Sequence, residues 1–219
     1  MPDWVQFWTK PQLGEQMVRH ALLQGVPIRW VTGDEVYGDN PALRQSLAEL
    51  GLSYVLAVAK TTPVFAGPSP PALWQTVEQV IAAQSAGRWR TLVCQVGEKG
   101  PIRYAWTRRR VRQSQAGQPG RRLWLLARRQ IHPPFETAYY LCLAPKGTAL
   151  GTLARVACSR AVIEQCIREA KGDTGMDEYE VRTWPAWHRH ITLSLMAYAW
   201  LASVRQRSLK KNRPRSWLN

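Results

Sequence analysis

The sequence predicts an α/β fold: a short parallel strand-helix-strand unit, then a mainly antiparallel β insert, then helices. Three observations predict it. Residues 26–34, VPIRWVTGD, form a β-rich run ending in a turn, and residues 53–59, SYVLAVA, form a continuous apolar run of the kind buried on both sheet faces. Between them PALRQSLAELG has Pro41 in its first turn and Gly51 as its stop, which makes a helix and hence a βαβ unit. From residue 88 to 144 four short β-type segments alternate with Gly- and Pro-containing turns, which reads as antiparallel pairing.

Ahead of this unit, residues 10–25 repeat Leu13, Met17, Ala21 and Leu22 at helical spacing, and Gly25 can supply the left-handed end. After Lys60, TTPVFAGPSPP reads as a Pro/Gly linker and residues 72–84 as a helix. The insert segments are RTLVCQV, IRYAWTRRRV, RRLWLLARR and TAYYLCLA. Helices are predicted again at 148–172 and 187–206, followed by the basic tail RQRSLKKNRPRSWLN. The expected organisation is residues 1–60 as the parallel core, 61–147 as the basic β insert, 148–206 as C-terminal helices and 207–219 as tail.

Composition narrows the function classes. The chain has 219 residues, with 30 Lys and Arg against 15 Asp and Glu, a formal charge of +15. Between residues 86 and 130 stand twelve cations and one acid, Glu98. A surface this basic repels itself unless an anion partners it, and nucleic acid is the first candidate. Apolar residues at 45% exclude a disordered chain. The most apolar window, residues 191–204, is shorter than the roughly 20 residues of a membrane helix. Cys94, Cys142, Cys158 and Cys166 include no C-x-x-C pair, and the start lacks a signal-peptide pattern, so free thiols and a cytoplasmic location are expected.

Two carboxylates are candidates for chemistry. Asp34 follows a hydrophobic run, where the C-terminal end of a parallel strand faces a ligand crevice, although a turn or helix-capping role fits the same position. Glu164 lies on the later helix. At about 100° per residue it falls about 40° from Arg160 and Lys171 about 20° from it, so one acid stands between two cations. Val162, Ile163, Cys166, Ile167 and Ala170 occupy the neighbouring arc, from about 200° to about 340°, which is expected to pack inward. A surface ion-pair row would give the same stripe. Two such carboxylates could hold Mg²⁺, and a pair of ions would clamp the attacking and leaving oxygens of a phosphodiester.

Four stretches, taken together, resemble insertion-sequence transposases of the DDE class, whose catalytic domain is ribonuclease-H-like. WVTGDEVYGDNPALRQSLAELGLSYVLAVAK is similar to the strand carrying the second catalytic Asp, which maps it to Asp34. GEKGPIRYAWTR with RRLWLLARR resembles the β insert, and FWTKPQLGEQMVRHALLQGVPIRW the helix and strand ahead of the Asp. RAVIEQCIREAKGDTGMDEYEVRTWPAWHRHITLSLMAYAWLA resembles the C-terminal helix with the signature Tyr-x₂-Arg-x₃-Glu-x₆-Lys, matched by Arg160, Glu164 and Lys171. Ala157 stands at the Tyr position, and Ala161 replaces the Trp that usually follows the Arg.

The resemblance implies a Mg²⁺- or Mn²⁺-dependent endonuclease for DNA transposition and recombination, with Asp34 and Glu164 as catalytic metal ligands. It implies double-stranded DNA, both transposon ends and target, as partner in the nucleoid. Arg160 and Lys171 would contact the DNA end, and Arg108, Arg109, Arg110, Arg128 and Arg129 would supply further phosphate contacts. The first catalytic Asp of that family lies upstream of the matching region, and Asp3 does not sit at a strand end. The expectation is therefore an N-terminally truncated, partial ribonuclease-H-like chain that binds metal weakly and is inactive alone. A complementing N-terminal fragment or a second copy would be its protein partners. The competing reading is a DNA-binding remnant without catalysis. Of the remaining features, Trp106 and Trp124 could stack on bases or be core, Glu35 should face away from Asp34, residues 177–180 read as a solvated acidic loop, and His188-x-His190 reads as a helix start rather than a Zn²⁺ site.

Overall fold

The structure is a computed structural model describing residues 6–67, 74–97, 100–115 and 117–211. Two compact units divide within one helix: Trp8–Arg160 is one, and the segment from Ala161 belongs to the other.

In the first unit, α1 (Lys10–Leu23) is opened by Thr9, whose backbone N–H and hydroxyl both donate to Gln12 Oε1. Gly25, at φ 74°, ends it. Strand β1 (Trp30–Gly33) leads through Asp34 into the short helix α2 (Glu35–Gly38), and Asn40 caps α3 (Pro41–Glu49) by accepting from Leu43 N–H at 2.8 Å. Strand β2 (Ser53–Val58) then runs parallel to β1, in the register Trp30↔Ser53 to Gly33↔Leu56. The predicted βαβ unit is present. Glu35, placed by strand alternation on the sequence, instead lies in the first turn of α2.

The Pro/Gly segment contains a strand, β3 (Pro63–Phe65), and the helix expected from residue 72 begins only at Val77 as α4 (Val77–Ala82), because β4 (Trp74–Thr76) precedes it. Both strands are three residues long, too short to show a period. The insert forms β5 (Arg90–Gly97), β6 (Gly100–Gln115), β7 (Gln118–Gln130) and β8 (Thr137–Leu143). These strands continue the sheet that carries β1 and β2, because β8 pairs antiparallel with β2 from Tyr54↔Leu143 to Val58↔Tyr139. The order is β1-β2-β8-β7-β6-β3-β4, with β5 also on β6. The fold is thus mixed α/β with a mostly antiparallel sheet.

Strand alternation divides the core in two. One face buries Leu56, Leu125 and Leu141 with Leu43 and Leu47 of α3 and Val80 and Ile81 of α4. The other buries Val55, Leu126 and Trp106 against Leu153, Ala154 and Ala157, from the start of α5 (Leu150–Thr174). Trp106 is 0% exposed, so the base-stacking role considered for it is excluded by packing.

In the second unit, α6 (Trp184–Lys211) is held to the end of α5 by Arg205, which bridges to Asp173 at 2.8 Å and Glu169 at 3.4 Å, while Tyr198 donates to Glu169 at 3.1 Å. The apolar arc of α5 does not pack inward as expected. Val162, Ile163 and Ile167 are 51%, 56% and 46% exposed, and only Ala170 of that arc is buried. The last eight residues of the predicted tail lie outside the described residues.

Candidate active site and basic surface

Asp34 leaves the C-terminal end of β1, and its position is built by close backbone packing. A Cβ on Gly33 would sit 3.2 Å from Leu56 Cδ2, and one on Gly38 would collide with the carbonyl oxygen of Ala57 at 1.6 Å. These two glycines let α2 lie directly on β2 and turn the chain sharply after Asp34. Oδ1 of Asp34 accepts from Val36 N–H at 3.0 Å. The capping role weighed on the sequence is therefore real, and it holds the carboxylate at a strand end. Among the described residues Oδ2 accepts no hydrogen bond.

Below this corner Asp39 ties the chain together, accepting from Ala59 N–H at 3.0 Å and from the Thr62 hydroxyl at 2.5 Å. Arg44 is buried beside it, donates to the Gly38 carbonyl and reaches Gln113 Oε1 at 3.4 Å. Burial pushes its pKa down, while Tyr54 and Asp39 push it back up.

Arg160, Glu164 and Lys171 are all on α5, with Glu164 exposed. Lys171 makes an ion pair with Asp177 at 3.4 Å, which is the surface-pair arrangement weighed against a phosphate contact. Asp34 and Glu164 belong to different units. Asp34's open oxygen is the hard donor type that Mg²⁺ prefers, so the donor chemistry fits. Among the described residues no three potential side-chain ligands gather at one place. His190 Nε2 lies 2.9 Å from the Gly175 carbonyl oxygen, and His188 packs on Trp184 at 4.5 Å between ring centres.

The predicted DNA-contacting arginines divide between the two sheet faces. Arg109 and Arg129 share the face of Leu125, and Arg129 lies 4.2 Å over the Trp89 ring. Arg108, Arg110 and Arg128 share the opposite face. Arg108 and Arg110 sit 4.2 and 3.8 Å over the Trp124 ring, and Arg128 sits 4.6 Å over Tyr104. Two cations already engage the π surface of Trp124, so it is an organiser of arginines rather than an open stacking platform. Arg108 also donates to the Thr148 carbonyl. Its pKa is lowered, first by burial and then by Arg110.

Sequence reasoning missed Arg112, Arg122 and Lys146. Arg112 and Arg122 are direct cross-strand partners, and both line an open groove with Arg110 and Lys146. The signal was present in the density of cations, but their convergence depends on hairpin register.

A mixed sheet with a carboxylate at a strand end and cationic faces is compatible with a nuclease fold. The chain belongs to the DDE superfamily endonucleases, whose family pattern matches residues 1–118 and so takes in Asp34. No curated protein matches the chain. Among the described residues no helix is long and apolar enough to cross a membrane.

Proposed function

We propose that the chain is the catalytic-core portion of an insertion-sequence transposase that cleaves double-stranded DNA and transfers the freed strand. The observation that carries this reading is Asp34. It lies inside the family match, at the C-terminal end of a parallel strand, with one carboxylate oxygen fixed by Val36 N–H. Asp34 and Glu164 would hold divalent metal, Mg²⁺ or Mn²⁺, which supplies Lewis acidity to an in-line phosphodiester displacement.

The protein's own contribution is placement. The Val36 hydrogen bond fixes the Asp34 rotamer, and the close approach of α2 to β2 fixes its backbone. Arg160, with the exposed arginines of β6 and β7, would bind phosphates, which Arg suits through its planar fork of donors. Lys171 would reach phosphate by exchanging its exposed partner Asp177, a pairing of little worth in water. A second copy of the chain is the proposed protein partner, since both transposon ends must be held together.

The arginines that β6 and β7 carry on both sheet faces also favour a second reading, a DNA-binding protein without cleavage. One experiment separates the two. The purified chain is incubated with terminal-repeat duplex and Mg²⁺ or Mn²⁺, alongside Asp34→Asn and Glu164→Gln. Two assigned carboxylates hold metal weakly, so little or no cleavage by the chain alone is expected. Cleavage lost in both variants with DNA binding retained supports the nuclease. Cleavage surviving both substitutions contradicts the assignment, and duplex binding that gains no Asp34-dependent tightening from Mn²⁺ favours the second reading.

A further inference from the structure

The groove between the ends of β6, β7 and β8 has a volume of about 550 Å³. Phe65, Val111 and Ala144 are its apolar lining, and Arg110, Arg112, Arg122 and Lys146 are its charged lining. No acidic side chain lines it among the described residues. Arg112 and Arg122 stand directly opposite one another in the β6–β7 ladder. Arg110, two residues before Arg112 and on the same face, is stacked over Trp124 at 3.8 Å. A guanidinium stacked by its face retains its in-plane N–H groups for an acceptor.

The groove also lies away from Asp34. Tyr54 at the start of β2 pairs with Leu143 at the end of β8, so the residues that follow Leu143, Ala144 and Lys146 among them, leave the sheet at the N-terminal end of β2. Asp34 leaves β1 at the opposite end, beside Leu56.

We infer that this groove is a second nucleic-acid site, holding consecutive backbone phosphates of a DNA strand remote from the Asp34 carboxylate. A concave surface of one charge sign concentrates counter-ions, and Arg112 and Arg122, side by side across the ladder, are placed to share one phosphate. Cations on alternate residues of an extended strand, about 6.8 Å apart, follow a row of charges better than one compact anion. The inference rests on the DNA-binding reading only for the source of the phosphates.

The test is fluorescence anisotropy of a labelled duplex with the full chain across a salt series, comparing wild type with Arg122→Gln/Lys146→Gln. Both positions are exposed. Each phosphate contact contributes about 0.9 to the slope of log affinity against log salt, so the double variant should bind several-fold more weakly and lose about two from that slope. Arg122→Lys keeps the charge and should keep the slope, which guards against a folding artefact. The melting temperature of the DNA-free double variant should match that of wild type, because both positions are exposed. Unchanged affinity and slope in the double variant would overturn the groove while leaving DNA binding through other arginines intact. Failure of wild type to bind duplex would overturn both readings. Stabilisation by millimolar inorganic phosphate that needs Arg122 and Lys146, with an unchanged DNA slope, would identify a free-anion site and also overturn the inference.

Discussion

Tyr54 shows how a buried group makes the stability of this protein depend on pH. Its side chain is fully buried, and its hydroxyl has no hydrogen-bond partner among the described residues. Burial pushes its pKa from 10.0 up to about 12, partly offset by the neighbouring Arg44 guanidinium. The folded state keeps the phenol proton to higher pH than the unfolded chain does. Its contribution to stability is therefore intact below pH 10 and is lost as pH rises toward about 12. Tyr54→Phe should remove the share of alkaline sensitivity that Tyr54 supplies and leave that of the raised Tyr139, Tyr140, Cys142 and Cys158. At neutral pH it should leave stability unchanged or raise it by about 1 kcal/mol, since a desolvated hydroxyl is removed with little loss of volume. Denaturant midpoints at pH 7 and pH 11 check this, and a large loss at pH 7 would show that the hydroxyl is satisfied after all. The same scale explains the thiols. Cys142 and Cys158 are buried and their pKa values are raised, that of Cys158 to about 12, so they are poor nucleophiles.

Among the elements, α2 has the least tolerance. It is four residues long and is held by contact rather than propensity. Gly38→Ala would drive a methyl into the Ala57 carbonyl oxygen, forcing α2 off β2. The expected cost is about 3 kcal/mol, at the upper end for overpacking, measured by thermal or denaturant unfolding. A loss below about 0.5 kcal/mol, the usual scale of an unconstrained surface change, would mean that α2 lifts freely and does not anchor the Asp34 turn. Elements of ordinary length were legible in the sequence. The 53–59 run became β2 because its residues face a core on both sides, and the arginine-rich segments became β6 and β7 because their alternating apolar residues have two helical layers to meet. Elements α2, β3 and β4 escaped because three or four residues carry no period. The arc of Val162, Ile163 and Ile167 is apolar by sequence yet exposed, since amphipathicity reports a preference and not the presence of a partner.

At the scale of the whole molecule, charge and carboxylates were legible to different depths. The Asp34 position could be read because a strand-end acid has a local signature, and its cap, Val36 N–H, is two residues away. The arginines could be counted, but their division between two faces, and the meeting of Arg112 with Arg122, follow from a hairpin register that no local pattern encodes. Glu164 is further from local evidence still, since about 130 residues of chain separate it from Asp34.

The central claim is that these two carboxylates share a divalent ion, and metal-directed backbone cleavage tests it without requiring catalysis. With Fe²⁺, ascorbate and hydrogen peroxide, radicals formed at a carboxylate-bound ion cut the chain close to its ligands. The account predicts cuts near both residue 34 and residue 164 that disappear together in Asp34→Asn and under competing Mg²⁺. Cuts near only one of them, or cuts near residue 164 that persist in Asp34→Asn, would contradict it.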